Sequence, residues 1–167
     1  MDNALLFVVV IAAVLVLAVF LPRWIRRSSR SAGDRAGQRY AEGRRSAILD
    51  ELSRTIVVHA PEATVRELVD TVALQQPRRF SPLSDGRYGI RFVEPDDAVA
   101  RLVDDPQGTR LQLDGFREYL GMPNTSASWA ELRTRVSEAA VARGLTAHDG
   151  PAAAHRRDPE TERWNIV

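Results

Sequence analysis

Three histidines, at positions 59, 148 and 155, and two carboxylate clusters, Glu94-Pro95-Asp96-Asp97 and Asp104-Asp105, are the groups in this chain best suited to chemistry. A histidine carries protons or holds a metal only beside a carboxylate or a second histidine at defined spacing. His59 alone falls in a patterned stretch, on the face shared with Thr55 and Val57, and no such partner stands near it in sequence. It reads as a satisfied or solvent-facing strand position, and His148 and His155 lie in a polar C-terminal stretch. The carboxylate clusters lack the alternating oxygen ligands and mid-loop glycine of a calcium loop, so they read as solvated turns. There is no cysteine to ligate a metal. Nor is there a Gly-x-Ser-x-Gly elbow, a Gly-Lys-Ser/Thr phosphate loop or a Gly-x-Gly-x-x-Gly turn. The expectation is a non-catalytic protein with no cofactor and no metal.

The elements that must position these groups are legible in the hydrophobic pattern. Thr55 to Ala60 has the β-branched content of a strand, and Pro61 stops it while suiting a helix start. Val65, Leu68, Val69 and Val72 recur at i, i+3, i+4 and i+7, which predicts an amphipathic helix over 62–74 ending before Pro77. Phe80 to Leu83 and Arg87 to Val93 flank Ser84-Asp85-Gly86 as a hairpin, with Tyr88, Ile90 and Phe92 on one face. Ala98 to Val103 and Thr109 to Asp114 make a second hairpin around Pro106 and Gly108, with Leu111 and Leu113 inside. Phe116 to Met122 is apolar without a clear form. Ser128-Trp129-Ala130-Glu131 reads as a capping box opening a helix that Gly144 ends, with Trp129, Leu132 and Val136 in helical register.

The N-terminus has a different character. Ala4 to Leu21 is an unbroken apolar run, about 27 Å long as a helix, and is read as a membrane span over 4–22. A cleaved signal peptide fits less well, because the exit Ala18-Val19-Phe20-Leu21-Pro22 is bulky, and a buried helix lacks enough apolar sequence to enclose it. From Arg23 to Arg45 eight Arg stand against Asp34 and Glu42, whereas residues 1–3 carry no basic side chain. That asymmetry places 1–3 outside the cell and the rest in the cytoplasm, giving a cell-membrane protein with a single span. Residues 23–45 are expected to be a basic tether. Within it Arg23, Trp24, Arg26, Arg27 and Arg30 are candidates for the membrane surface and anionic headgroups, or simply set topology. Every basic residue is Arg and none is Lys, a sign of high-GC bacterial coding. The remaining fifteen Arg face twenty acids, so the body is acidic, and with no aromatics interleaved in the basic stretch a nucleic-acid partner is not expected.

Residues 46–145 have the length for one modest core, and 146–167 are expected to be a mostly disordered tail. Its apolar end, Arg163-Trp164-Asn165-Ile166-Val167, fits either docking on a partner's sheet edge or folding back on its own domain. The predicted class is α+β: an N-terminal transmembrane helix, then a small antiparallel sheet wrapped on a long C-terminal helix. The run Ile56 to Val69, a strand entering a helix through Ala60-Pro61, resembles the opening of START-like (SRPBCC) helix-grip domains, and 129–143 matches the long helix such domains grip. The resemblance implies a cavity for an apolar small molecule or lipid, lined by Tyr88, Ile90, Phe92, Leu111, Leu113, Trp129, Leu132 and Val136. Against it stands a domain of this kind with a filled core, acting as a non-catalytic interaction or scaffold module with a protein partner.

Overall fold

The computed structural model describes residues 39–167. The chain divides into two compact units, Met1–Arg44 and Arg45–Val167. The described part of the first, residues 39–44, is helical and mostly exposed. In the second, the end of helix α1 (39–53) leads to β1 (Ile56–Val58), α2 (Glu62–Gln75), β2 (Phe80–Pro82) and β3 (Tyr88–Ile90). Then follow β4 (Ala98–Asp105), β5 (Gly108–Tyr119), β6 (Met122–Pro123), α3 (Ser126–Ala142), β7 (Ala147–Asp149), β8 (His155–Arg157) and β9 (Arg163–Ile166).

All pairings are antiparallel, in the order β2-β3-β4-β5-β1-β7. β5 pairs with β4 from Gly108 to Phe116, its other edge is shared between β1 and β9, and its end turns back into β6. Val65, Leu68, Val69 and Val72 of α2, as predicted, join Trp129, Leu132, Val136 and Ala140 of α3 in one buried cluster with the inward strand residues. Among the described residues, the helices cover one face of the sheet and leave the other without a helix. Pro61 precedes α2 with no amide to leave unsatisfied. α3 ends as predicted: Gly144 takes φ +74, its N–H reaches Val141 O, and the Leu145 N–H reaches Ala140 O.

Several expectations are corrected. No described helix is long and apolar enough to cross a membrane. α2 and α3 each bury one stripe and carry charges elsewhere, among them Glu62, Arg66 and Asp70 on α2 and Glu131, Arg133 and Arg135 on α3. The expected single-pass architecture, and the cell-membrane location built on it, thus find no spanning helix among the described residues. Segment 4–22, and with it Arg23, Trp24, Arg26, Arg27 and Arg30, lies outside the described residues. The sheet is not small but nine-stranded, and it is not wrapped on one terminal helix, since three strands follow α3. Residues 146–167 supply those strands instead of a disordered tail, because their polar stretches pair with partners distant in sequence: β7 with β1, and β9 with β5. Phe116 to Tyr119 continues β5. The capping box does not form: α3 starts earlier, after Thr125, with no side-chain cap, and Glu131 instead accepts from Gln76, Arg79 and Arg135.

One carboxylate pins the C-terminal hairpin. Glu118 of β5 has no exposed side-chain surface and accepts from Arg45 Nη2 (2.7 Å), Arg157 Nε (2.9 Å) and Trp164 Nε1 (2.9 Å). Trp164 stacks on Phe116 at 5.7 Å. Burial by itself would raise the Glu118 pKa, but the Trp164 indole and the two guanidiniums outweigh it and hold the pKa below its ordinary value. His155 sits against Phe116, and its Nε2 is 3.0 Å from Leu113 O, to which it donates in the tautomer this carbonyl requires. Burial lowers its pKa.

Glu118→Ala should cost about 3 kcal/mol in urea unfolding, since it leaves an indole N–H and two guanidiniums without their shared acceptor. The unfolded chain binds a proton on His155 and on Glu118 at higher pH than the folded one does, so stability falls as pH falls. Equilibrium unfolding should show a first loss below about pH 6.5 and a second below about pH 4.3. His155→Gln should remove the first and keep the second.

Candidate functional site

The helix-free face of the sheet gathers arginines. Strand alternation turns Arg101 of β4, Arg110 and Arg117 of β5, Arg156 of β8 and Arg163 of β9 away from the core, with Arg87 leading into β3. On a body that is acidic by composition, this is a local reversal of charge. Arg87, Arg101 and Arg163 border an open groove of about 470 Å³ whose floor includes Val99 and Gly115.

A bulge sets the groove's chemistry. The β4–β5 register shifts between Val99 and Ala100: Ala100 faces Leu113 while Val99 faces Gly115, which leaves Asp114 unpaired in the ladder. Freed from it, the Asp114 carboxylate lies 2.6 Å from Arg101 Nε and 3.8 Å from Arg87 Nη1. Arg87 also donates from Nε to Asp85 at 2.6 Å. Gly115 lets β9 approach closely, since a Cβ there would stand 2.5 Å from Trp164 O.

The far rim is a loop folded around Asp97. Its Oδ2 accepts from the backbone N–H of Phe92 (3.1 Å), Val93 (2.6 Å) and Glu94 (2.8 Å), and its Oδ1 from the Tyr119 hydroxyl at 2.5 Å. Burial pushes the Asp97 pKa up, and the Tyr119 and amide donors more than reverse that. The adjacent Asp96 accepts from Arg163 through its carbonyl at 3.0 Å and its carboxylate at 3.5 Å. The cluster Glu94-Pro95-Asp96-Asp97, read from sequence as a solvated turn, thus contains one fully buried carboxylate that organises a loop. Beside this rim Phe92 and Val93 are about half exposed, and Phe92 rests on Tyr119 at 5.7 Å. Leu120, fully exposed, holds φ +53 in the β5–β6 turn.

Of the residues expected to line an apolar cavity, Tyr88, Ile90, Leu111, Leu113, Trp129, Leu132 and Val136 all lie in the one buried cluster. Tyr88 donates to Asp70 at 2.8 Å, and Trp129 Nε1 donates to Arg54 O at 3.0 Å, so their polar ends are satisfied within the fold. Phe92 is not among them, because β3 stops at Ile90 and the loop turns outward. His59, without a partner in sequence, gains one: His148 on β7 places Nδ1 3.2 Å from His59 Nε2. No group of three or more His, Cys, Asp or Glu suited to a metal occurs among the described residues. Sequence reading missed Arg87, Arg101, Arg163 and Asp114. The alternation of Val99, Arg101 and Val103 carried part of that signal, but the bulge that aims Asp114 had none.

Comparison with family models, with curated proteins and with solved structures finds no match for this chain. The START-like resemblance therefore rests on the quoted residues alone.

Leu120 pays no packing role against its left-handed backbone, a conformation costing about 1 kcal/mol for a residue with a Cβ. Leu120→Gly should raise stability by about that amount in thermal unfolding, which would show that the exposed side chain is kept at the expense of the fold.

Proposed function

We propose that residues 45–167 form a non-catalytic interaction module that holds an acidic segment of a partner protein on the helix-free sheet face. The observation that carries this reading is the convergence of Arg87, Arg101 and Arg163 on one groove, each on or beside a strand and each oriented by an aspartate. Guanidiniums fixed in this way recognise carboxylates through paired N–H donors with little further ordering. Asp96 and Asp114 act as internal substitutes for the partner's acids, so the incoming segment exchanges one set of carboxylates for another. The exposed Phe92, Val93 and Leu120 beside the Asp97 loop supply apolar contact next to the charged groove. An enzyme reading has no cluster of groups here to support it. An apolar-ligand reading would need side chains that are packed against one another in the core.

The test is fluorescence anisotropy with a labelled ten-residue peptide rich in Asp and Glu and containing one Leu. Binding should weaken with salt. Arg101→Ala should weaken it by about tenfold, the worth of one charged hydrogen bond. Asp114→Asn, which keeps the shape and removes the competing charge, should tighten it by about threefold. Affinity indifferent to both substitutions, or a stronger preference for an oligonucleotide, would overturn the reading.

A further inference from the structure

His59 and His148 stand apart from the arginine groove and from every interaction that holds the core. His59 follows β1, and its N–H bonds to Thr146 O at 2.9 Å, so the β1–β7 ladder continues through it. Val57 lies opposite His148, which makes the two histidines diagonal neighbours on one face of adjacent strands. Both side chains are exposed, with ring centroids 4.9 Å apart and planes at 77°.

Two glycines help to fix this juxtaposition. Gly108, at φ +143, passes so close that a Cβ would stand 2.9 Å from the His59 Cα. Gly150, just after β7, lies where a Cβ would meet Thr55 Oγ1 at 2.5 Å and Val57 Cγ2 at 2.8 Å. The segments bearing the two rings are thus seated against the sheet.

We infer that His59 and His148 form a two-imidazole site for a divalent first-row transition metal ion of borderline softness, such as Cu²⁺, Ni²⁺ or Zn²⁺. The distance carries the argument. Two nitrogens each about 2.1 Å from one ion and 3.2 Å from each other subtend an angle of about 100° at the metal, between the square-planar and tetrahedral values. The strands therefore already hold the pair at a chelating separation. Binding replaces the single hydrogen bond between the rings: the ring that donates moves its proton to its other nitrogen, and both facing lone pairs turn to the ion. Arg110, across the ladder from Val57, is 3.8 Å from the Asp105 carboxylate, which offsets its charge. Two protein ligands leave the remaining positions to water, so the site is open to exchange.

The experiment uses the full chain, purified without a polyhistidine tag and titrated with CuCl₂ at about pH 7.5, with electron paramagnetic resonance and calorimetry as readouts. The expected result is one bound equivalent with two-nitrogen hyperfine structure. His59→Ala and His148→Ala should each weaken binding by at least about tenfold, and His155→Gln should leave it unchanged. Circular dichroism of each variant separates ligand loss from unfolding, and the exposed positions of both rings favour folded variants. Absence of a stoichiometric equivalent, or binding that survives both alanine variants in folded protein, would overturn the assignment.

Discussion

One edge of β5 has to serve two strands. Gly108 to Phe116 pair with β4 on one side, with Asp114 bulged out, and on the other Thr109 to Leu111 take β1 and Gly115 to Arg117 take β9, before Glu118 and Tyr119 turn back into β6. Backbone amides and carbonyls buried beside such an edge must be satisfied in every stretch, including the gap between β1 and β9. His155 meets that demand at Leu113 O. Glu118, just beyond, turns the same strand into the anchor for α1, β8 and β9 through Arg45, Arg157 and Trp164.

The candidate site is a by-product of how this strand is divided. An extra residue in β5 bends it and frees Asp114, and the missing side chain at Gly115 admits β9 with Arg163 and Asn165. The groove thus joins side chains from the turn before β3 and from β4, β5 and β9. Its positive character does not come from an excess of base, because the domain is acidic; it comes from arginines at outward positions of the sheet, while many acids lie on helices and turns. Arg117 and Arg163 even face each other directly across β5 and β9, an arrangement that Asp96 and Asp97 beside them make tolerable.

Local pattern made the helices and the two central hairpins legible. The period of Val65 to Val72, the turn residues between β4 and β5, and Gly144 each act over a few residues, and each behaves as its chemistry dictates. What the pattern hid depends on partners distant in sequence. β7 is Ala-His-Asp and β8 is His-Arg-Arg, sequences with little strand preference of their own that extend only because β1 and β9 offer ladders. With the C-terminal stretch read as disordered, His148 could not be brought to His59, and Arg163 could not be brought to Arg101. The capping box failed for a related reason: Glu131 finds better partners in Gln76, Arg79 and Arg135 than in the start of its own helix.

The position of β1 between β5 and β7 also shapes the order of assembly. The β4–β5 hairpin closes over a two-residue turn and forms early, whereas Ile56 must find Leu111 and then Asp149, both far along the chain. Long loop closures slow folding. Until β1 and β9 arrive, the hairpin presents the apolar Leu111, Leu113 and Phe116 on a strand with an unpaired edge, the kind of surface through which chains join one another. The shared edge that organises the finished domain is therefore also its period of exposure to aggregation, and its yield on refolding is set by a race between intramolecular docking and encounter with another chain.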